Sequence, residues 1–241
     1  TYDENILDIK GGLNDVVMNN SPIDIDKLIE GTNEILTANR NSLQLFDMLH
    51  SMRQFDDLTY VHSVNVALIA SILGQWLKFS EKDIRILTIS GLLHDIGKIM
   101  IPNEILTKPG KLTVAEYNIM KQHVNFGYEK VKNQNIDIRI KEACLLHHEK
   151  CDGTGYPFGL KSDQIPAVAK IIAIADVYDA MTSARVYRGA LCPFEVIDTM
   201  YKDAFTKFEP EYILPFLKNV ASSYICLLYT SPSPRDRTRS R

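Results

Sequence analysis

At 241 residues with 45% hydrophobic side chains, the chain can bury one sizeable core, as one large domain or one domain with a helical appendage. Its formal net charge is −3, but the last thirteen residues carry four arginines and one aspartate, which leaves 23 basic against 29 acidic side chains in the remainder. Such a body would repel a long nucleic acid, so any anionic ligand has to be small and met by a local basic cluster.

Gly and Pro are sparse and apolar residues recur three and four apart, which predicts an all-α fold. No apolar run reaches the roughly 18 residues of a membrane span; the best candidate, Val64 to Leu77, is broken by Asn65, Ser71, Gly74 and Gln75. No signal peptide is evident. Cys144, Cys151, Cys192 and Cys226 show no zinc-ribbon spacing, so reduced thiols in a cytoplasmic protein are expected. The first residue is Thr1 rather than Met, and an upstream segment is expected to be missing.

In chain order, residues 1–52 read as an N-terminal helical segment. Its first stretch (Ile6, Ile9, Leu13, Val16, Val17) is weakly amphipathic and interrupted by Gly11-Gly12. Ser21-Pro22 offers an N-cap and a first-turn proline to a second run, Ile25 to Leu49, whose single apolar stripe is expected to pack on the body as ordinary core. Residues 53–226 form the main domain. A long helical pattern starts near Thr59 and carries His62 in its first turn. Ser80 with Asp83 resembles a capping box opening a helix that ends at His94-Asp95 and Gly97. Pro102 and Pro109 punctuate a loop, and Thr113 with Glu116 caps a helix expected to carry His123. Ile136 to Glu149 delivers His147-His148, followed by the tight turn Asp152 to Pro157. Ile165 to Met181 reads as a buried helix interrupted only by Lys170, Asp176 and Asp179, and two more helices follow Pro193 and Pro210. Residues 227–241 lack apolar periodicity and are expected to be a disordered, non-native basic tail.

An imidazole beside a carboxylate at the end of a buried segment is expensive to desolvate unless a metal or a hydrogen-bonding partner satisfies both. Seven such residues stand out: His62, His94, Asp95, His123, His147, His148 and Asp176. Taken singly, each has an ordinary alternative as a hydrogen-bonded core residue or a buried ion pair, and His50 is expected to be just that. Taken jointly, five of the six histidines with two aspartates are hard to satisfy as independent buried groups.

Imidazole and carboxylate ligands without thiolates suit Fe, Mn, Co, Ni or Zn. Two six-coordinate ions offer about twelve positions; seven residues with one bridging carboxylate fill about eight, leaving about four for water, hydroxide and a substrate oxygen. Asp95 is the natural bridge. Such an open pair suits phosphodiester hydrolysis by attack of a metal-activated hydroxide on phosphorus. Lys98, one turn after His94, and Arg185 and Arg188 suit phosphate contact, and Tyr156 suits stacking on a nucleobase. Asp179 is expected to partner a ligating histidine, while Lys108, Lys111 and Lys170 are expected to be solvated.

With His94-Asp95-Ile96-Gly97-Lys98, His147-His148-Glu149 and Asp152-Gly153-Thr154-Gly155-Tyr156-Pro157 in this order, the sequence resembles the HD-GYP family of bacterial HD phosphohydrolases over roughly Phe55 to Phe216. The resemblance implies an HD-type helical bundle, a binuclear or trinuclear centre of iron or manganese, and hydrolysis of cyclic di-GMP to linear pGpG or GMP. Carried over by position, His62, His94, Asp95 and Asp176 would hold one ion, and Asp95, His123, His147 and His148 the other. Lys98, Arg185 and Arg188 would hold phosphates, and Tyr156 would line the substrate or partner surface. Trinuclear members carry a carboxylate where this chain has Leu58, so two ions are expected. The partners it admits are the cyclic dinucleotide, a diguanylate cyclase docking through the GYP loop, and a second copy in a homodimer. Alternatives are a non-hydrolytic sensor of the same nucleotide and a hydrolase of cyclic GMP-AMP.

Overall fold

The structure, a computed structural model, describes residues 2–19, 21–38, 42–51, 58–183 and 192–230. The elements run α1 (Tyr2–Asn19), α2 (Ile25–Ala38), α3 (Ser42–Ser51), α4 (Leu58–Trp76), α5 (Glu81–Leu93), a 3-10 turn (Ile96–Met100) and α6 (Asn103–Leu106). They continue with α7 (Val114–Met120), α8 (His123–Val131), α9 (Ile138–Leu146), a 3-10 turn (Ser162–Gln164), α10 (Ala167–Thr182), α11 (Pro193–Asp203) and α12 (Pro210–Thr230). Among the described residues there is no β-strand, and Asp152 and Lys161 form one antiparallel bridge. The all-α expectation holds.

Helices α4 and α10 are mostly apolar and buried along most of their length, and they fill the centre. Val64, Val66, Ala67, Leu68, Ile69, Ala70 and Leu73 of α4 are all buried, as are Ile171, Ile172, Ile174 and Ala175 of α10. Helix α5 lies directly on α4 because Gly91 has no side chain. A Cβ there would come within 2.5 Å of Ala67 Cα and 2.6 Å of Ala67 N.

Helices α5 and α9 begin together. Ser80 caps α5 by accepting from Asp83 N at 3.2 Å, and Asp137 caps α9 by accepting from Arg139 N at 3.0 Å. The Arg139 guanidinium bridges both starts, donating to Asp83 Oδ1 at 2.7 Å and to Asp137 Oδ2 at 3.0 Å. The far ends of the two helices therefore reach the same level, where His94-Asp95 and His147-His148 follow them.

The N-terminal helices share the same apolar core: Ile9, Leu13, Val16 and Val17 of α1 and Leu28, Ile29 and Ile35 of α2 are buried in it, as expected of the apolar stripe. Lys130 of α8 donates to Val17 O at 2.8 Å, and Gln134 takes Ile23 N and gives to Ser21 O, each at 3.2 Å.

Several local expectations change. Helix α1 runs through Gly11-Gly12 unbroken. Helix α2 starts at Ile25, not at Ser21-Pro22, because Asp24 rather than Ser21 caps it, accepting from Lys27 N at 3.1 Å. The helix capped by Thr113 stops at Met120, and His123 opens the next one instead. Lys170 is not solvated but donates to Glu209 at 2.7 Å and Ser162 at 2.9 Å, and Lys108 pairs with Glu116. The His50 side chain and residues 231–241 lie outside the described residues.

Gly91→Ala is expected to cost about 3 kcal/mol by forcing α4 and α5 apart. Gly11→Ala, with nothing within 4 Å of its added methyl, should gain up to about 1 kcal/mol from helix propensity. Thermal denaturation of the two variants checks the contrast; equal midpoints would contradict the close approach at Gly91.

Candidate metal centre

Five helix termini and faces converge on Asp95. Its carboxylate is buried and sits where α5 gives way to the 3-10 turn. That turn lies hard against the start of α8, because Gly97 leaves room for it: a Cβ there would lie 2.0 Å from His123 O and 2.4 Å from Gly127 N. The two carboxylate oxygens then face different partners. Asp95 Oδ2 is 3.2 Å from His94 Nε2 and 3.5 Å from His62 Nε2. Asp95 Oδ1 is 3.3 Å from His123 Nε2 and 3.8 Å from His147 Nε2.

Backbone carbonyls decide which ring nitrogen stays available. A carbonyl only accepts, so His94, His123 and His147 each carry the proton on Nδ1, donating to Gly91 O at 2.7 Å, Met120 O at 2.8 Å and Ala143 O at 2.9 Å. Their Nε2 atoms all face Asp95. His62 is oriented by a carboxylate instead: its Nδ1 lies 2.7 Å from Asp179 Oδ2, and Asn65 Nδ2 donates to Asp179 Oδ1 at 3.0 Å. A carboxylate behind an imidazole is the arrangement that fixes ligating histidines.

Asp176 spans the two sides, with Oδ1 3.0 Å from His62 Nε2 and Oδ2 3.8 Å from His148 Nδ1. Asp95, His123, His147 and His148 can each offer a ligand atom within 4.8 Å of one another, and so can His62, His94 and Asp95. The structure thus brings together all seven residues singled out in the sequence, with Asp95 common to both groups.

Charge follows burial. Burial drives His147 well below its ordinary pKa, His148 down to about 3, and His123 downward, so all three imidazoles stay neutral. Burial alone would raise Asp95, but His94 and Lys98 outweigh it and hold the carboxyl well below the usual range. Burial likewise opposes a charged His62, yet Asp176 and Asp179 raise it to about 9.

Two buried atoms decide whether such a set suits a metal. His94 Nε2 and Asp95 Oδ1 have no hydrogen-bond partner, although polar atoms lie near both. An orphaned buried carboxylate oxygen costs on the order of 1–3 kcal/mol or more, and a cation between these groups satisfies both atoms at once. The neutral imidazoles of His123, His147 and His148 and the ionised carboxylate of Asp95 are also the forms that coordinate divalent ions. His62, by contrast, is held charged by Asp176 and Asp179 and gives up its Nε2 proton to join them.

The sequence pattern of the HD domain family matches residues 29–212. The chain belongs to the HD domain family. The cyclic di-GMP phosphodiesterase response regulator RpfG of Xanthomonas campestris is 35% identical over 212 residues, covering 87% of this chain and 56% of that protein. The 3'3'-cGAMP-specific phosphodiesterase 2 of Vibrio cholerae is 32% identical over 188 residues, covering 76% of this chain and 36% of that protein. An HDG"Y"P protein from Bdellovibrio bacteriovorus superposes with a TM-score of 0.73 over 91% of this chain and 70% of its own, at 17% identity, a likeness of fold alone. The chain spans about half the length of the first of these relatives and about a third of the second. The resemblance to the HD-GYP branch read from the sequence is borne out.

HD domains bind divalent metals, and this HD domain has a buried His/Asp cluster to do so. Around it, Lys98 Nζ is hydrogen-bonded to Asp95 Oδ2. Tyr156 stacks on His148, with ring centroids 4.7 Å apart and planes at 28°. Arg185 and Arg188 lie outside the described residues.

Two residues without a role in the sequence reading hold the HD centre in shape. Asn65 steadies Asp179, as above. Glu149, buried after His148, accepts from Phe158 N at 2.7 Å, Gly159 N at 3.1 Å and Leu160 N at 2.9 Å, and so clamps the loop that carries Tyr156. The available signal was a carboxylate directly after two adjacent histidines and just before a turn rich in backbone donors.

Glu149→Gln should cost about 2 kcal/mol, because a neutral amide accepts these bonds more weakly and leaves one backbone donor unpaired. Hydrogen exchange at residues 158–160 reads the change directly; unaltered protection there would contradict the clamp.

Proposed function

We propose that this HD domain is a phosphodiesterase of cyclic dinucleotides, hydrolysing cyclic di-GMP to linear pGpG, GMP or both with two divalent ions, iron or manganese. The carrying observation is Asp95: one buried carboxylate whose two oxygens face two separate groups of imidazoles. The relatives named as cyclic dinucleotide phosphodiesterases support the substrate class.

Two divalent ions, held by His62, His94, Asp95 and Asp176 and by Asp95, His123, His147 and His148, would supply water acidified toward neutral pH and positive charge beside the phosphoryl oxygens. The chain's own groups do the rest. The Nδ1–H bonds to Gly91, Met120 and Ala143 fix three imidazoles before substrate arrives, so no reorganisation is spent at the moment of reaction. Burial of His94, Asp95, His123 and His147 keeps bulk water away and strengthens each charge interaction. The Lys98 side chain is 23% exposed against 1% for Asp95, so its ammonium lies on the solvent side of the carboxylate. From there it can turn to an incoming phosphate oxygen. Arg185 and Arg188 are proposed to steady the phosphates from their place after α10.

Cyclic GMP-AMP is a second substrate reading, favoured by the cGAMP-specific relative. A diguanylate cyclase docking on the loop would meet Phe158, which is 63% exposed, since Tyr156 is packed on His148. We place the enzyme in the cytoplasm, where nucleotide messengers are made; no described helix is long and apolar enough to cross a membrane.

Manganese- or iron-loaded protein should convert cyclic di-GMP to linear product, with Asp95→Asn lowering kcat at least ~10³-fold at unchanged helical circular dichroism. Chromatography of products from cyclic di-GMP and cyclic GMP-AMP side by side checks the reading. Tight binding with no linear product, or full turnover by Asp95→Asn, would overturn it.

A further inference from the structure

Helix α7 buries none of its residues. Core packing is therefore not what holds it in place; polar contacts at its start are. Thr113 and Glu116 bond reciprocally as a capping box, and Lys108 Nζ donates to both Glu116 oxygens at 2.8 and 2.7 Å. These bonds, all within residues 108–116, set where α7 starts and hence the order in which its exposed residues follow.

What it presents is a lysine between two tyrosines. Lys121, the residue that ends α7, has its Nζ 5.3 Å from the centroid of the Tyr117 ring and 6.0 Å from that of the Tyr156 ring. Tyr156 in turn stacks on His148 and lies edge-on to His123, 6.4 Å between centroids, so the ammonium stands one ring away from the centre. Tyr117 is 48% exposed, leaving this edge open to solvent.

Among the described residues Lys121 forms no ion pair with a carboxylate, whereas Lys98 is bonded to Asp95. The difference matters chemically. Two aromatic faces orient an ammonium through their quadrupoles but leave its formal charge and N–H donors available, which a carboxylate partner would not.

We propose that Lys121, steadied by Tyr117 and Tyr156, binds the second phosphodiester of a cyclic dinucleotide, the one that is not being cleaved. The inference rests on the cyclic-dinucleotide reading of the centre. Such a ligand carries two permanent monoanions on one ring. With one at Asp95, the other lies one sugar away along the ring, and from the same centre the contacts lead through His148 and Tyr156 to Lys121. A single rotatable ammonium suits one diester monoanion, which offers no need for the bidentate fork of arginine. Lys121 is thus a substrate-binding residue and Tyr117 a positioning residue.

The test uses the metal-loaded full chain, with a non-hydrolysable phosphorothioate analogue of cyclic di-GMP for Kd and cyclic di-GMP itself for kinetics. Lys121→Met should raise Kd and KM about tenfold, the loss of one charge-assisted contact, with kcat within about twofold and the thermal midpoint retained. Lys121→Arg should recover most of the affinity. For bis(p-nitrophenyl) phosphate, which has no second phosphodiester, KM should not follow. An unchanged Kd in Lys121→Met, or an equal KM rise for both substrates, overturns the proposal. Wild-type protein that binds the analogue yet releases no product defeats only the hydrolase reading, and the Kd comparison still decides Lys121. Wild-type protein that does not bind the analogue defeats both.

Discussion

The buried Asp95 carboxylate is the constraint around which the rest is arranged. A charge that deep is costly, and in this chain it is neither paired away by a single partner nor protonated: His94 and Lys98 keep it ionised while four imidazole nitrogens gather around its two oxygens. One of those oxygens and one of those nitrogens have no hydrogen bond. The fold bears that cost because the surrounding core is large and apolar, and a bound cation returns it.

The scaffold explains how such a centre is held. Arg139 aligns the starts of α5 and α9, so their ends meet; Gly91 and Gly97 let α5 and the turn after it approach α4 and α8 at backbone distance. Each of these acts on where Asp95 sits relative to its histidines rather than on the ligands themselves. Loop chemistry then adds the outer layer: Glu149 gathers three backbone donors, the loop presents Tyr156 to His148, and Lys170 with Glu209 and Ser162 ties the same region to the start of α12.

Much of this was legible in the sequence, for physical reasons. Buried histidines and aspartates at the ends of apolar runs have few ways to be satisfied, so His94-Asp95 and His147-His148 announced a shared site, and Asp179 was readable as a partner for a histidine because it lies one turn from Asp176. Capping at Ser80 and Thr113 was equally plain, since short polar side chains before an apolar period have one common use. What escaped were contacts between residues far apart in the chain. Nothing local marks Lys170 as a partner of Glu209, Arg139 as the link between two helix starts, or Lys121 as the neighbour of Tyr156. The start of α2 was misplaced because Ser21-Pro22 and Asp24 both carry cap chemistry, and only the hydrogen bond from Lys27 N decides between them.

The claim that everything else depends on is that Asp95 is shared by two ions. Anomalous diffraction from crystals grown with manganese tests it most directly. The account predicts two peaks per chain, under about 4 Å apart and one on each side of the Asp95 carboxylate. A single peak, or peaks away from Asp95, would contradict it.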